Sequence, residues 1–572
     1  MPQQQVSQRR RLVARAVQVV EHAASVAVLA GVAARFGTAW GSRHAGMLER
    51  LDLAVLAFFA ASVAVRLALA ERRLAHLRSR WFDAVVVLAA VHSLWGVRAA
   101  WAWYLGRQVA ATASRLLGTR RVQRLVSQLR LHPAKLMVAS FAAAIAVGTL
   151  LLLLPAASAT GWSIGVVDAL FTATSAVCVT GLIVKDTGSD FTLFGQLVIL
   201  VLLQLGGLGI MTFSAVVVMA FGRTLSKSRE VVMQDLLDQD SVREMLALLR
   251  FIALSTLLVE AVGAAALFAA LGPRLGYSVG TFYTAIFHAV SAFCNAGFSL
   301  FTTSMEQFTS SASITLVMAA LIVAGGLGFP VLRDLAMLGR LRRASAGRPA
   351  RLRVQTKVVL ATSAVLLVVG TVVFYATEAE GTLAGMSRGQ RLLASFFQAV
   401  TARTAGFNTV RIGQVGSAGL LLLMVLMFVG ASPGSTGGGV KTTTAAILWQ
   451  AMRSALRQRR QVEFFDRTVP PETVRRAVAL VVLSALVLVV WMVALMSVEE
   501  QSFEALAFEA TSAFGTVGLS TGATPRLTEA GRLLVTTLMF VGRLGPLTLA
   551  LSFLGEARPA AYAYPEERIM IG

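Results

Sequence analysis

The chain has 572 residues, 56% of them hydrophobic and 14% charged, and carries a formal net charge of +23. So little charge cannot solvate the surface of a chain this long, which excludes a soluble globular protein and indicates one embedded in a membrane. The Lys and Arg excess is gathered in a few stretches between apolar runs, the pattern of a positive-inside topology, which argues against nucleic acid as a partner.

The chain opens on a polar stretch, MPQQQVSQRRR, and no small-residue cleavage site follows a short apolar core, so no removable signal peptide is expected. Residues 1–133 read as a separate N-terminal membrane extension. Apolar stretches at about 14–34, 51–70 and 81–105 precede a basic amphipathic linker over 107–131. If both the N-terminus and the next helix start in the cytoplasm, an even number of spans must lie between them. Either one stretch lies at the interface or 97–117 is a fourth span. Arg98, Arg107 and Arg115 are too sparse for a voltage sensor.

From residue 134 a unit repeats four times, over 134–222, 223–340, 341–460 and 461–572. Each copy holds a long apolar helix, a short segment ending at a glycine, and a second long apolar helix. The long helices are predicted near 134–154 and 193–221, 244–270 and 311–338, 356–376 and 417–456, and 474–497 and 530–554. The short segments read DALFTATSAVCVTGL (168–182), YTAIFHAVSAFCNAGF (283–298), LASFFQAVTARTAGF (393–407) and FEALAFEATSAFGTVGL (503–519). Their glycines, Gly181, Gly297, Gly406 and Gly518, are separated by 116, 109 and 112 residues, the near-constant period of an internal repeat.

A dozen residues are too few to cross a ~30 Å hydrocarbon layer as a helix, so each short segment is expected to enter and return on one side. Irregular backbone at that depth persists only where protein buries it or where it lines water, so four such segments imply a shared aqueous path. Arg-rich connections such as 340–353 and 453–476 orient the chain with these connections and the C-terminus in the cytoplasm. Asp186, Asp190, Glu306, Glu378, Glu380, Glu499 and Glu500 are then placed in outer loops. The expected fold is all-α, with four helix–pore loop–helix repeats in pseudo-fourfold arrangement around one pore, in a multi-pass protein of the cell membrane.

Backbone carbonyls can replace the hydration shell of K⁺, and glycine allows the extended chain this needs. The candidate strips are Val179-Thr180-Gly181, Asn295-Ala296-Gly297, Thr404-Ala405-Gly406 and Thr516-Val517-Gly518. No carboxylate falls inside a strip, which argues against a site for divalent ions. Taken singly, each strip would read as a helix-breaking turn in a packed bundle; four copies in register favour a filter.

Together, TSAVCVTGL, SAFCNAGF, TARTAGFNT and SAFGTVGLSTG resemble the filter loops of the Trk/Ktr/HKT superfamily of potassium-translocating proteins, over roughly 134–555. The resemblance implies that Gly181, Gly297, Gly406 and Gly518 are filter glycines and that K⁺ is the transported ion. Glycine rather than serine at 181 favours potassium. It further implies a homodimer, each chain with its own pore, and a cytoplasmic nucleotide-binding regulatory subunit on the basic face. This chain has no long soluble segment to bind nucleotide itself. Membrane lipids are the remaining partner expected.

In the third repeat, GASPGSTGGGVKTTT (430–444) interrupts an apolar helix. Pro433 with Gly434, Gly437, Gly438 and Gly439 makes a continuous helix costly, so the chain is expected to break at mid-membrane. The stretch is similar to the family's intramembrane gating loop. Gly434, Ser435, Thr436, Gly437, Gly438, Gly439 and Lys441 are the gating candidates, with Lys441 repelling cations. Val440 between Gly439 and Lys441 breaks a phosphate-loop pattern. A serine protease reading of Ser432 or Ser435 fails for want of a histidine, since all six lie upstream and His288 reads as packed. Arg543, inside FVGRLGPLTL, is an expensive intramembrane charge that must face water or a partner. It is either held by carbonyls at a helix break or, as the resemblance implies, a barrier beneath the filter.

Cys178 and Cys294 read as free thiols. With no metal cluster and no nucleophile–base pair, no enzyme is expected. Coupling of K⁺ to Na⁺ or H⁺, or permeation of Na⁺ itself, stays open, because no acidic relay within the spans decides it.

Overall fold

The computed structural model describes residues 133–209, 242–344, 352–554 and 567. The predicted stretches of 1–132, and the part of 193–221 beyond 209, lie outside them. Among the described residues, one compact unit holds 133–153, 164–209, 242–344 and 352–554. The other holds 154–163, with a single 3-10 turn, Pro155–Ala157.

The larger unit is nearly all helix. Its first quarter has α1 (Pro133–Leu152), α2 (Val166–Val177) and α3 (Leu193–Gly207). The second has α4 (Val242–Leu275), α5 (Val279–Phe293), α6 (Ala312–Leu327) and α7 (Phe329–Ala344). The third has α8 (Val354–Glu378), α9 (Arg388–Thr401), α10 (Ser417–Phe428) and α11 (Thr442–Leu456). After a hairpin, β1 (Val462–Phe464) and β2 (Arg467–Val469), the last has α12 (Pro471–Val498), α13 (Phe503–Gly515), α14 (Glu529–Leu544) and α15 (Pro546–Leu554). The hairpin departs from the all-helical expectation. Phe465 (φ 47°) and Asp466 (φ 62°) form its two-residue turn, the conformation that matches strand twist.

Among the described residues, three helices are long and apolar enough to cross a membrane, Ala247–Leu275, Val354–Glu378 and Pro471–Val498, or four if the bent pair Ala312–Leu327 and Phe329–Leu338 is one span. Their outer faces display aliphatic side chains such as Leu254, Leu258, Val365, Val368, Val482 and Val493, each at least 60% exposed. A soluble protein does not present such stripes; a lipid-facing one must.

The short helices α2, α5, α9 and α13 have 12 to 15 residues and are buried among the longer ones. Side-chain oxygens of Ser278, Ser387 and Ser502 cap three of them, accepting from the backbone N–H of Thr281, Gln390 and Ala505. Phe171, Phe287, Phe293, Phe397, Phe508 and Phe514 fill the space around them and are fully buried.

The second helix of three quarters ends within two residues of a glycine with positive φ, Gly209 (78°), Gly328 (91°) or Gly545 (82°), whereas in the third it ends at Phe428 and the positive-φ glycine, Gly434 (69°), lies six residues further on, in the glycine loop. The stops read GGLG (206–209), GGLG (325–328), GASPG (430–434) and GRLG (542–545). The third break was expected, and a break at Arg543 was one of the two readings of that residue. The predicted helices 311–338 and 530–554 are therefore corrected. The former bends by 101° between α6 and α7, and the latter divides at Gly545. Glycine admits the left-handed conformation, and Pro330 and Pro546 suit the first turn of the helix that restarts.

Candidate functional site

The four strips share one backbone plan. Each follows the C-terminus of a short helix and opens on a left-handed residue, namely Val179 (φ 56°), Asn295 (57°), Thr404 (85°) and Thr516 (51°). Two residues later comes a glycine, also at positive φ: Gly181 (88°), Gly297 (72°), Gly406 (78°) and Gly518 (94°). Three strips hang from a serine of their own helix. The Ser175 hydroxyl accepts from Gly181 N–H at 3.0 Å, and Ser512 accepts from Gly518 N–H at 3.0 Å. The Ser291 hydroxyl instead donates to Phe298 O at 2.7 Å. TARTAGF in the third is one residue shorter, and Thr401 O accepts from the N–H of Ala405 at 2.9 Å.

The strips are brought together, and their order closes on itself. A Cβ added to Gly181 would fall 2.5 Å from Ala296 O and 2.9 Å from the Cα of Gly297. One on Gly297 would fall 2.9 Å from Ala405 O, one on Gly406 would strike Val517 O, and one on Gly518 would strike Thr180 O. Each glycine thus abuts the carbonyl of the residue before the next glycine, round to the start. All twelve strip residues are buried apart from Gly297 and Gly518, which are half-buried. With its amide oriented so that donors meet acceptors, Asn295 bonds outward, to Ala292 O and Ile322 O at 3.1 Å.

The glycine loop lies against the strips. Gly438 N–H donates to Thr516 Oγ1 at 3.0 Å, and a Cβ on Gly437 would strike Thr404 Oγ1. Thr436 Oγ1 donates to Phe293 O at 3.2 Å, at the end of α5. Elsewhere the loop bonds to the α6 break, Ser432 N–H to Gly326 O and Phe329 N–H to Gly434 O, both at 3.0 Å. A parallel bridge between Val429 and Val440 closes its base. Lys441 turns back on the loop, its ammonium donating to Gly437 O at 2.7 Å and Gly438 O at 3.3 Å. Those bonds hold the loop.

Arg543 is buried at 6% exposure and occupies, in the fourth break, the place of Gly207 and Gly326 in the first two. Its Nη1 donates to Thr436 O and its Nη2 to Gly206 O, so it joins the loop to the first quarter. No carboxylate pairs with it among the described residues, and its charge stays uncompensated. A cavity of about 390 Å³ opens here, lined by Arg543, Lys441 and Gly434, Ser435, Gly437 and Gly439 of the loop.

Other readings resolve simply. His288 is packed, stacked on Phe301 with ring centroids 4.8 Å apart and bonded to Ser299 Oγ at 3.0 Å. Cys178 and Cys294 are free and buried. The described residues contain no group of three or more His, Cys, Asp and Glu able to hold a metal.

Several carboxylates escaped sequence reasoning. Glu378 (1% exposed), the last residue of α8, and Glu499 (8%), just beyond the end of α12, are buried braces and not exposed charges: they accept from Gly416 N–H at 3.1 Å and Thr528 N–H at 2.9 Å, tying a first helix to the start of the second. Glu509, fully buried in α13, accepts from Ser520, Thr521 and Thr524 on the segment beyond the fourth strip. Its signal was one acid in an otherwise uncharged run, ALAFEATSAF. Glu260 lies within the span Ala247–Leu275, accepting from Gln204 Nε2 at 3.3 Å. Buried Arg403, beside the third strip, donates to Ser363 Oγ at 3.1 Å.

Comparison with known proteins agrees with this architecture. The family model for TrkH, described as a cation transport protein, matches residues 113–559. Ktr system potassium uptake protein B of Vibrio alginolyticus is 41% identical over 440 residues, covering 77% of this chain and 94% of that protein. Potassium/sodium uptake protein NtpJ of Enterococcus hirae is 39% identical over 450 residues, covering 77% and 98%. The crystal structure of the potassium transporter TrkH from Vibrio parahaemolyticus superposes with a TM-score of 0.56 at 18% identity, over 88% of this chain and 97% of that one, a likeness of fold. The chain belongs to the TrkH family of cation transport proteins, within the Trk/Ktr superfamily, and is a membrane transporter, not an enzyme.

Proposed function

We propose that this protein takes up K⁺ across the cell membrane through a filter of backbone carbonyls. The observation that carries this reading is the closed cycle Gly181–Gly297–Gly406–Gly518, in which each glycine meets a carbonyl of the next strip. Oxygens gathered about one axis can substitute for a hydration shell without a fixed negative charge, which suits a monovalent cation. The four quarters then stand in pseudo-fourfold order, each short helix a pore helix. The glycine loop and Arg543 restrict passage on the cytoplasmic side, where a guanidinium without a counter-ion repels a cation leaving the filter. The name of one relative, Ktr system potassium uptake protein B of Vibrio alginolyticus, supports K⁺ as cargo.

The reading includes a multi-pass chain with its C-terminus in the cytoplasm. It also includes a homodimer, regulated by a nucleotide-binding subunit on the basic face. Na⁺ as a second permeant or coupled ion has one observation behind it, a relative named for potassium and sodium uptake. Reconstitution into liposomes with K⁺ and Na⁺ varied separately tests both. A K⁺-selective flux supports the filter; equal permeation of the two ions, or none, overturns it.

A further inference from the structure

An apolar cleft of about 320 Å³ lies on the flank of the larger unit, where α10 ends, α11 begins and α12 passes. Phe428, Val429, Val440, Leu448, Trp449 and Met452 line it, with Ala445 at its floor and not one polar side chain among them. Trp449 is 65% exposed and Met452 47% exposed at its mouth. Large apolar side chains left open on a membrane helix are solvated by lipid.

The cationic rim is the second, independent observation. Trp449 and Arg453 lie four residues apart on one face of α11, and Arg457, four further on, is its C-cap residue. Arg453 and Arg457 are exposed, and no carboxylate pairs with either among the described residues. Their neighbours differ: Arg459 pairs with Glu463 at 3.6 Å, and Arg476 with Glu472 at 2.6 Å. An interfacial Trp, an apolar slot toward the bilayer core and two unpaired guanidinium groups one and two turns outward match one kind of ligand, which carries an apolar tail and an anionic head.

We propose that this cleft binds an anionic phospholipid, with a stretch of acyl chain in the slot and the headgroup phosphate between Arg453 and Arg457. Assigning the lipid to the cytoplasmic leaflet rests on the orientation proposed above; the site itself does not. A protein partner would be met by the charges but leaves the slot unfilled. Val429 and Val440 form both the inner wall of the slot and the bridge closing the glycine loop. The lipid therefore braces the loop from the membrane side.

The test reads bound lipid and not transport, so its failure is separable from failure of the uptake reading. Native mass spectrometry of the full chain, purified from membranes containing phosphatidylglycerol, counts retained anionic lipid. Removing both guanidinium groups, by Arg453→Gln with Arg457→Gln, weakens retention roughly 30-fold, about fivefold for each. Ala445→Trp, which fills the slot and leaves every charge in place, is also expected to lose the lipid. Arg459→Gln with Arg476→Gln, which removes paired arginines, is expected to retain it, and Arg453→Lys identifies variants that merely misfold by keeping both fold and lipid. Inorganic phosphate is expected not to displace the lipid; displacement by phosphate alone would make this an anion site and overturn the proposal. Equal loss in the paired-arginine control, no anionic lipid on the unaltered chain, or a change of oligomeric state with lipid unchanged on Ala445→Trp would each overturn it too.

Discussion

Arg543 donates to the carbonyl oxygen of Thr436, so the glycine loop is tied to the end of α14 by a buried guanidinium. One side chain supplies the tether and, in the proposed function, the barrier as well. Arg543→Ala is expected to raise K⁺ flux severalfold in liposomes, because barrier and tether go together. A charged hydrogen bond contributes about 1.5–3 kcal/mol, so a lower melting temperature should accompany the gain. A folded variant with unchanged flux would leave Arg543 a structural brace only.

Gly181 sits at φ 88° with a neighbouring carbonyl where a side chain would begin. Gly181→Ser should lower the K⁺/Na⁺ permeability ratio, since the Cβ must push Ala296 aside and open the ring. Reversal potentials in mixed K⁺ and Na⁺ solutions measure this, and an unaltered ratio would tell against the filter.

Gly438 and Thr516 offer a coupled test. A Cβ at 438 would meet the Thr516 hydroxyl that its own N–H now reaches at 3.0 Å. Gly438→Ala alone is expected to destabilise by about 1–3 kcal/mol, as overpacking does, and to reduce flux. Thr516→Ala in the same chain should recover part of that loss by making room. Strict additivity in a thermal double-mutant cycle would show that loop and strip are independent.

Glu509 gathers three side-chain hydroxyls and one backbone N–H from 520–524. Glu509→Ala leaves these buried donors without an acceptor, at about 1–3 kcal/mol for each one not rehydrated. Loss of thermal stability and faster hydrogen exchange over 518–524 are expected, with Glu509→Gln milder than Ala. Unchanged exchange in both would show that the segment holds itself.

The period and backbone of the strips were legible because each is local: a short helix, a left-handed residue and a glycine are written in consecutive positions. The place of Arg543 was legible because a charge inside an apolar helix announces itself. Its partners were not, since Thr436 and Gly206 lie 107 and 337 residues away in sequence. The burial of Glu378 and Glu499 was missed because their acceptor role depends on where a second helix begins. The breaks at Gly328 and Gly545 were written in GGLG and GRLG but hidden by apolar flanks that read as continuous spans.

Those recurring stops have a consequence for how the quarters divide labour. At the strips the four copies keep equivalent backbone, so a passing ion would experience nearly equal surroundings on every side. One layer below, the same glycine position is followed by glycine twice, by alanine and a lengthened Ser-Pro turn once, and by arginine once. If the proposed uptake reading holds, duplication has left selection to the shared level and control to the level where the copies diverged. Altering the lower layer should therefore change how much passes long before it changes what passes.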